Sequence, residues 1–325
     1  MVGIFKQKSS VNGLLLLVYG LILKFPIFLH PEGPLRQQED HFLYTWLIDL
    51  LEPANIPKII FSLVTFLLIY SQAMVFGRIF NVQRMLGNPN YLPAMSYMLI
   101  TSLFREWNQF SAPLLVNSFM IVIFYRLLTV QNAQKAGAAI FNVGIMMGIV
   151  TLLYQPAVIF LLLMWMALFI MRAFSIREWL INVLGITMPY YFLVLVLYLT
   201  DRFEWHKLWP DLDFGLPGMP STIQITISLA LLVFPFIIGG FLVNANLNKM
   251  FIQVRKGWSL LLLYLIISTL IIMVNDGNNY VNWLLCAVPL TAFHAAAYYF
   301  LPGNIFPALI HWIVFGWAVY VNYWT

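Results

Sequence analysis

The stretch 138-AAIFNVGIMMGIVTLLYQPAVIFLLLMWMALFI-170 contains no charged side chain. As a single helix, the surrounding run 137–172 would be roughly 54 Å long at about 1.5 Å per residue. That is nearly twice a bilayer core of about 30 Å. Gln155-Pro156 stands in the middle, and proline removes an amide donor and clashes with the preceding turn. The stretch is therefore expected to form two membrane helices broken at Tyr154-Gln155-Pro156. Gly144 and Gly148 give the first of them a small-residue face, which lets another helix approach closely.

The same pattern extends in both directions. The 325-residue chain is 62% hydrophobic and only 9% charged, against about 25% charged residues in a soluble domain. Its 17% aromatic content suits helix ends at the headgroup level, where Trp and Tyr gather. Apolar stretches predict about eleven transmembrane helices, near 11–29, 57–77, 87–104, 110–128, 137–154, 157–172, 178–199, 222–243, 258–274, 282–300 and 305–323. Met1 to Ser10 is short and basic like the start of a signal peptide, but no small-residue cleavage site follows. Residues 11–29 are thus expected to be a retained first helix. One domain, 1–325, is expected, with two long loops at 30–56 and 200–221.

The net charge of +5 comes from dispersed basic residues and gives no nucleic-acid signal. Lys6, Lys8, Arg78, Arg84, Arg126, Lys135, Arg172, Arg177, Lys249, Arg255 and Lys256 would fall on inner loops, which places the N-terminus in the cytoplasm. Lys24 lies in the outer half of the first helix and is expected to snorkel. Every carboxylate except Glu178 would fall outside, so any ionic chemistry belongs to the outer face. The lone Cys286 cannot form an internal disulfide, and no Cys/His zinc spacing exists.

The first outer loop is 30-HPEGPLRQQEDHFLYTWLIDLLEPANIP-57. Glu39 to Leu51 reads as an amphipathic helix, with Phe42, Leu43, Trp46, Leu47 and Leu50 at helical spacing. It should lie in the interface plane. Glu39 and Asp40 would occupy its first turn, either as dipole-compensating caps facing water or as a base or metal ligand over the bundle. The second outer turn, 104-FREWNQF-110, holds Arg105, Glu106 and Asn108 at the membrane edge. Arg105 and Glu106 form a local ion pair there, or Glu106 and Asn108 offer two oxygens to a hard cation such as Mg²⁺. In the long loop after helix seven, Asp211-x-Asp213 is a weak metal motif.

Residues 39-EDHFLYTWLIDLL-51, Glu106-x-Asn108 and the 138–170 pair together resemble the GT-C superfamily of polytopic glycosyltransferases, which use polyprenyl-phosphate sugars. The resemblance covers roughly residues 1–200. It implies a GT-C-like bundle with Asp40 as general base, Glu39 next, and Glu106 at the second acidic position. It implies donor contacts from Arg36, His41, Arg105, Gln155, Arg202 and His206. It further implies a divalent cation, Mg²⁺ or Mn²⁺, at Glu106 and Asn108. The sequence departs from the superfamily in carrying Asn108 where an acid is usual and Tyr154-Gln155 where Lys or Arg precedes the proline. The whole chain also resembles a family of Bacteroidota integral membrane proteins, which implies a bacterial inner-membrane location. Two other readings stay open: a non-catalytic subunit of a cell-envelope assembly with membrane-protein partners, and a transporter or lipid flippase. The near absence of charge inside the helices, and of an internal repeat, weighs against the transporter.

Overall fold

Every secondary-structure element named among the described residues is helical, and isolated bridge residues, among them the pair Asp40 and Tyr154, are the exception. The computed structural model describes residues 1–7, 9, 11–131, 136–172, 174–210, 212, 215, 222–274 and 280–324, with only the backbone of His206 and Lys207. Asp211, Asp213, Asp276, Lys8 and Lys135 lie outside the described residues.

The α-helices in chain order are α1 (Val2–Phe5), α2 (Val11–Lys24), α3 (Pro26–Leu29), α4 (Phe42–Leu51), α5 (Lys58–Val82), α6 (Leu92–Ile100) and α7 (Ala112–Val130). They continue with α8 (Gly137–Leu153), α9 (Phe160–Met171), α10 (Ile176–Leu199), α11 (Ile223–Asn246), α12 (Ile252–Ile272), α13 (Ala287–Phe300) and α14 (Ile305–Trp324). Seven helical stretches are long and apolar enough to cross a membrane: those containing α5, α7, α10, α11, α12, α13 and α14. These are seven of the eleven expected helices. Val11–Lys24, Gly137–Leu153 and Gln155–Met171 are shorter apolar helices, and the segment expected at 87–104 is helical only over Leu92–Ile100.

Asparagine chemistry explains that last shortening. Asn81 Nδ2 donates to the Asn90 carbonyl, and Asn81 Oδ1 accepts the Asn90 N–H. Asn90 Oδ1 in turn accepts the Leu92 N–H at 3.0 Å. A side-chain oxygen that satisfies an orphan amide fixes where a helix begins. Every residue of α6 is buried, as is α13 from Ala287 to Tyr298. These two helices form the centre around which the others stand.

Backbone proximity sets the strongest pairings. A Cβ on Gly144 would lie 2.6 Å from the Asn182 carbonyl oxygen of α10, and one on Gly148 2.5 Å from that of Ile186. Gly185 of α10 faces the Phe141 carbonyl in return. The small-residue face thus meets a complementary one. Tyr190 Oη, donating to Thr151 Oγ1 at 2.8 Å, pins the same pair. On the other side of the centre, Gly239 of α11 sits against the Phe293 carbonyl of α13. His294 Nε2 there lies 2.7 Å from the Leu232 carbonyl oxygen.

The segments at one end of the bundle carry Glu32, Glu39, Asp40, Glu106 and Asp201, and the loops and helix ends at the other carry Arg84, Arg126, Lys249 and Arg255. We call these the acidic and the basic end.

Candidate functional site

The helix break read from Gln155-Pro156 shapes the acidic end. α8 stops at Leu153, Tyr154 is extended (φ −147, ψ 120), and Pro156 opens a short 3₁₀ helix over Gln155–Ile159. Such a break frees backbone groups that need partners. The first loop supplies them: the Gln155 N–H donates to the Glu39 carbonyl at 2.9 Å, and the His41 N–H donates to the Leu153 carbonyl at 3.1 Å. The 39–41 backbone is therefore used in a strand-like contact. This is why α4 starts at Phe42, with no acid in its first turn, and not at Glu39 as expected.

The contact buries Glu39 and half-buries Asp40. Glu39 is 7% exposed. Asp40 Oδ2 accepts the Gln37 N–H at 2.7 Å, while Oδ1 is buried without a partner. Burial pushes the Asp40 carboxyl up to about 7, opposed by the Gln37 N–H, assisted by the Glu39 charge and weakly offset by Arg36. His41 is buried with Nδ1 unpartnered, and burial lowers its affinity for a proton. The Tyr154 hydroxyl is likewise buried and unpartnered. Tyr44 is buried beneath this cluster, its hydroxyl 2.7 Å from the Leu35 carbonyl oxygen and 3.2 Å from that of Phe110. Burial, then the Asp40 charge, raise its phenol well above the ordinary value.

The second turn forms a separate constellation. Arg105–Asn108 is a 3₁₀ turn. Arg105 pairs with Glu32 at 3.1 Å, both side chains being partly exposed. Glu106 is exposed, while Trp107 is buried and donates from Nε1 to the Tyr280 carbonyl at 2.7 Å. Asn108 is buried: its Oδ1 accepts from Lys24 Nζ, and its Nδ2 donates to Asn322 Oδ1 at 2.8 Å. Lys24 also donates to the Thr101 carbonyl at 3.0 Å and is fully buried. The expected snorkelling is thereby corrected, because neutral acceptors from the residue that caps α6, the second turn and, through Asn108, α14 enclose the Lys24 nitrogen. Sequence reasoning missed Lys24 as a site residue; the available signal was a lysine inside an apolar helix.

A cavity of about 390 Å³ opens over this network, lined by His30, Glu32, Arg105, Asn108, Phe110 and Asn322 among others. Neither Asp40 nor Glu106 lines it. Phe110 forms the wall between the two constellations, since its carbonyl accepts the Leu35 N–H at 2.8 Å and its ring stacks on Tyr44.

The remaining nominated residues are dispersed. Arg36 is tied to Asp49 (3.0 Å) and Glu52 (2.9 Å) at the end of α4. Gln155 meets Glu39 through its backbone. Arg202 is exposed on the turn after α10, and the His206 side chain lies outside the described residues. The Glu106 and Asn108 side chains do not fit a divalent cation. The Asn108 oxygen already accepts a hydrogen bond from Lys24 and is enclosed with it, so it is not offered to a metal ion. No group of three His, Cys, Asp or Glu suited to a metal occurs among the described residues. Chemically, the acidic end thus offers a half-buried carboxyl poised to exchange a proton near neutrality, and an adjacent polar cavity backed by a buried lysine.

Comparison with curated proteins and with solved structures returned no match. A family model does match residues 41–320, most of the chain, and the protein belongs to the family of unknown function DUF6427.

Proposed function

We propose that this protein is a multi-pass enzyme of the bacterial inner membrane, GT-C-like in mechanism, that transfers a sugar from a polyprenyl-phosphate donor at the outer face. The positive-inside rule supports a cytoplasmic N-terminus and an outward acidic end. The observation that carries the reading is Asp40. Its carboxyl sits just ahead of a juxtamembrane helix, one oxygen is held by the Gln37 N–H, and the other is unpartnered. A pKa of about 7 suits a general base at neutral pH. Asp40 takes the proton of the acceptor hydroxyl as that oxygen bonds to the anomeric carbon. The bond from that carbon to the donor phosphate oxygen breaks, and the polyprenyl phosphate leaves. The cavity holds the phosphate against Arg105, and Phe110 is the edge across which the sugar carbon reaches Asp40.

A second reading, a non-catalytic subunit of an envelope assembly, is favoured by one observation: Asp40 and Glu106 do not share the cavity. Membranes carrying the wild type or Asp40→Asn, supplied with a radiolabelled polyprenyl-phosphate sugar, separate the two. Transfer to a glycoconjugate should fall at least about 100-fold in the variant, the usual weight of a general base. Equal transfer with equal membrane insertion would remove Asp40 from the chemistry and leave the subunit reading.

A further inference from the structure

The basic end holds a second cavity, of about 400 Å³, with no role in the transfer described above. The 84–88 turn, the segment between α11 and α12, and the end of α13 build it. Its polar lining is Arg84, Asn88, Asn246, Lys249 and Tyr299. None of these segments carries an acid: the sequence has no carboxylate over 53–105, 214–275 or 277–325. Two exposed cations therefore face the cavity with no carboxylate opposite them, whereas Arg172 near the same end is satisfied by Glu178 at 2.9 Å.

The rim is braced. Arg84 holds a left-handed backbone, φ 53, which a non-glycine residue adopts at a cost. The Asn88 N–H donates to Tyr299 Oη at 3.4 Å, Trp258 Nε1 donates to the Met85 carbonyl at 3.4 Å, and the Lys6 ammonium lies 5.5 Å from the Tyr299 ring centre. At the lip of the cavity, Phe251 and the neighbouring Ile252 are 76% and 63% exposed.

We infer that this cavity is a binding site for one anionic phospholipid of the inner leaflet. Arg84 and Lys249 take the phosphate, Asn88 and Tyr299 bond the rest of the headgroup, and the acyl chains lie along Phe251 and Ile252. Basic pockets between helices on the cytoplasmic side suit such headgroups. A soluble anion would satisfy the two cations but not the exposed apolar lip. The inference uses the topology of the chain and does not depend on glycosyl transfer.

The test is native mass spectrometry of the full-length protein with phosphatidylglycerol or phosphatidylethanolamine. The variant is Arg84→Asn with Lys249→Gln; asparagine tolerates the left-handed backbone. A control variant, Arg126→Gln with Arg177→Gln, removes two exposed cations outside the cavity. The wild type should retain one phosphatidylglycerol in preference to phosphatidylethanolamine. The cavity variant should bind it about 25-fold more weakly, from about fivefold per removed cation, and the control should match the wild type. An unchanged thermal midpoint verifies that the variant is folded; if it is not, Lys249→Gln alone should give about a fivefold loss. Equal loss in the control, no preference for the anionic lipid, or displacement of the lipid by inorganic phosphate would each overturn the inference.

Discussion

Replacing Asp40 with asparagine should stabilise the protein at pH 8 and leave it unchanged or slightly weaker at pH 5. The carboxyl ordinarily titrates at 3.8 and does so here at about 7. Because the folded value is the higher one, its contribution to stability is fully present below about 3.8 and is lost as pH rises through about 7. At about 1.36 kcal/mol per pH unit of difference, the ionised carboxylate costs roughly 4 kcal/mol. That figure is an upper limit, since relaxation and water entry raise the effective dielectric. Asparagine keeps an acceptor for the Gln37 N–H but buries an amide where Oδ1 now lies unpartnered, at a cost of about 1–3 kcal/mol. The net gain at pH 8 is about 1–3 kcal/mol. Hydrogen exchange of the His41 and Gln155 amides reads it directly, because both close the loop onto the helix break. In the wild type their protection, corrected for intrinsic rate, should fall between pH 5 and pH 8, and in the variant it should stay flat. A pH trend that persists undiminished in the variant would refute the assignment of this titration to Asp40.

The glycine seam and the buried lysine give two further tests. Gly148→Leu must push α8 off the Ile186 carbonyl and should cost about 3 kcal/mol or more; Gly316→Ala, with nothing within 4 Å, should be nearly silent in the same thermal assay. Asn108→Ala strips an acceptor from the buried Lys24 ammonium and orphans Asn322 Oδ1. It should cost about 1–3 kcal/mol, while Glu106→Gln two residues away, being exposed, should stay within about 0.5 kcal/mol.

What could be read from the chain alone follows a physical divide. Apolar length and proline position locate most helices, because each is a local property; α10 and α11 fall close to the expected 178–199 and 222–243. The Gly144–Gly148 face was equally legible, though its partner Gly185 was not. Features that depend on distant segments were hidden. Asp40 was nominated from its place before a helix, but its burial comes from pairing with Tyr154, which no periodicity announces. Lys24 looked like a snorkelling residue because its acceptors arrive from Thr101 and Asn108. Glu106 and Asn108 looked like a pair on spacing, yet one is exposed and the other enclosed.

The brevity of α6 has a consequence for how anything reaches the cavity. Its nine residues extend about 14 Å at about 1.5 Å each, less than half of a hydrocarbon slab of about 30 Å. The neighbouring α5 has 25 residues and α7 has 19. The chain between α5 and α7 therefore makes much of its crossing outside α-helix, in the asparagine-bonded segment before α6 and in the turn after it. Under the proposed transfer, that turn is where a lipid-borne phosphate would reach the cavity from within its own leaflet, without its chain leaving the oil.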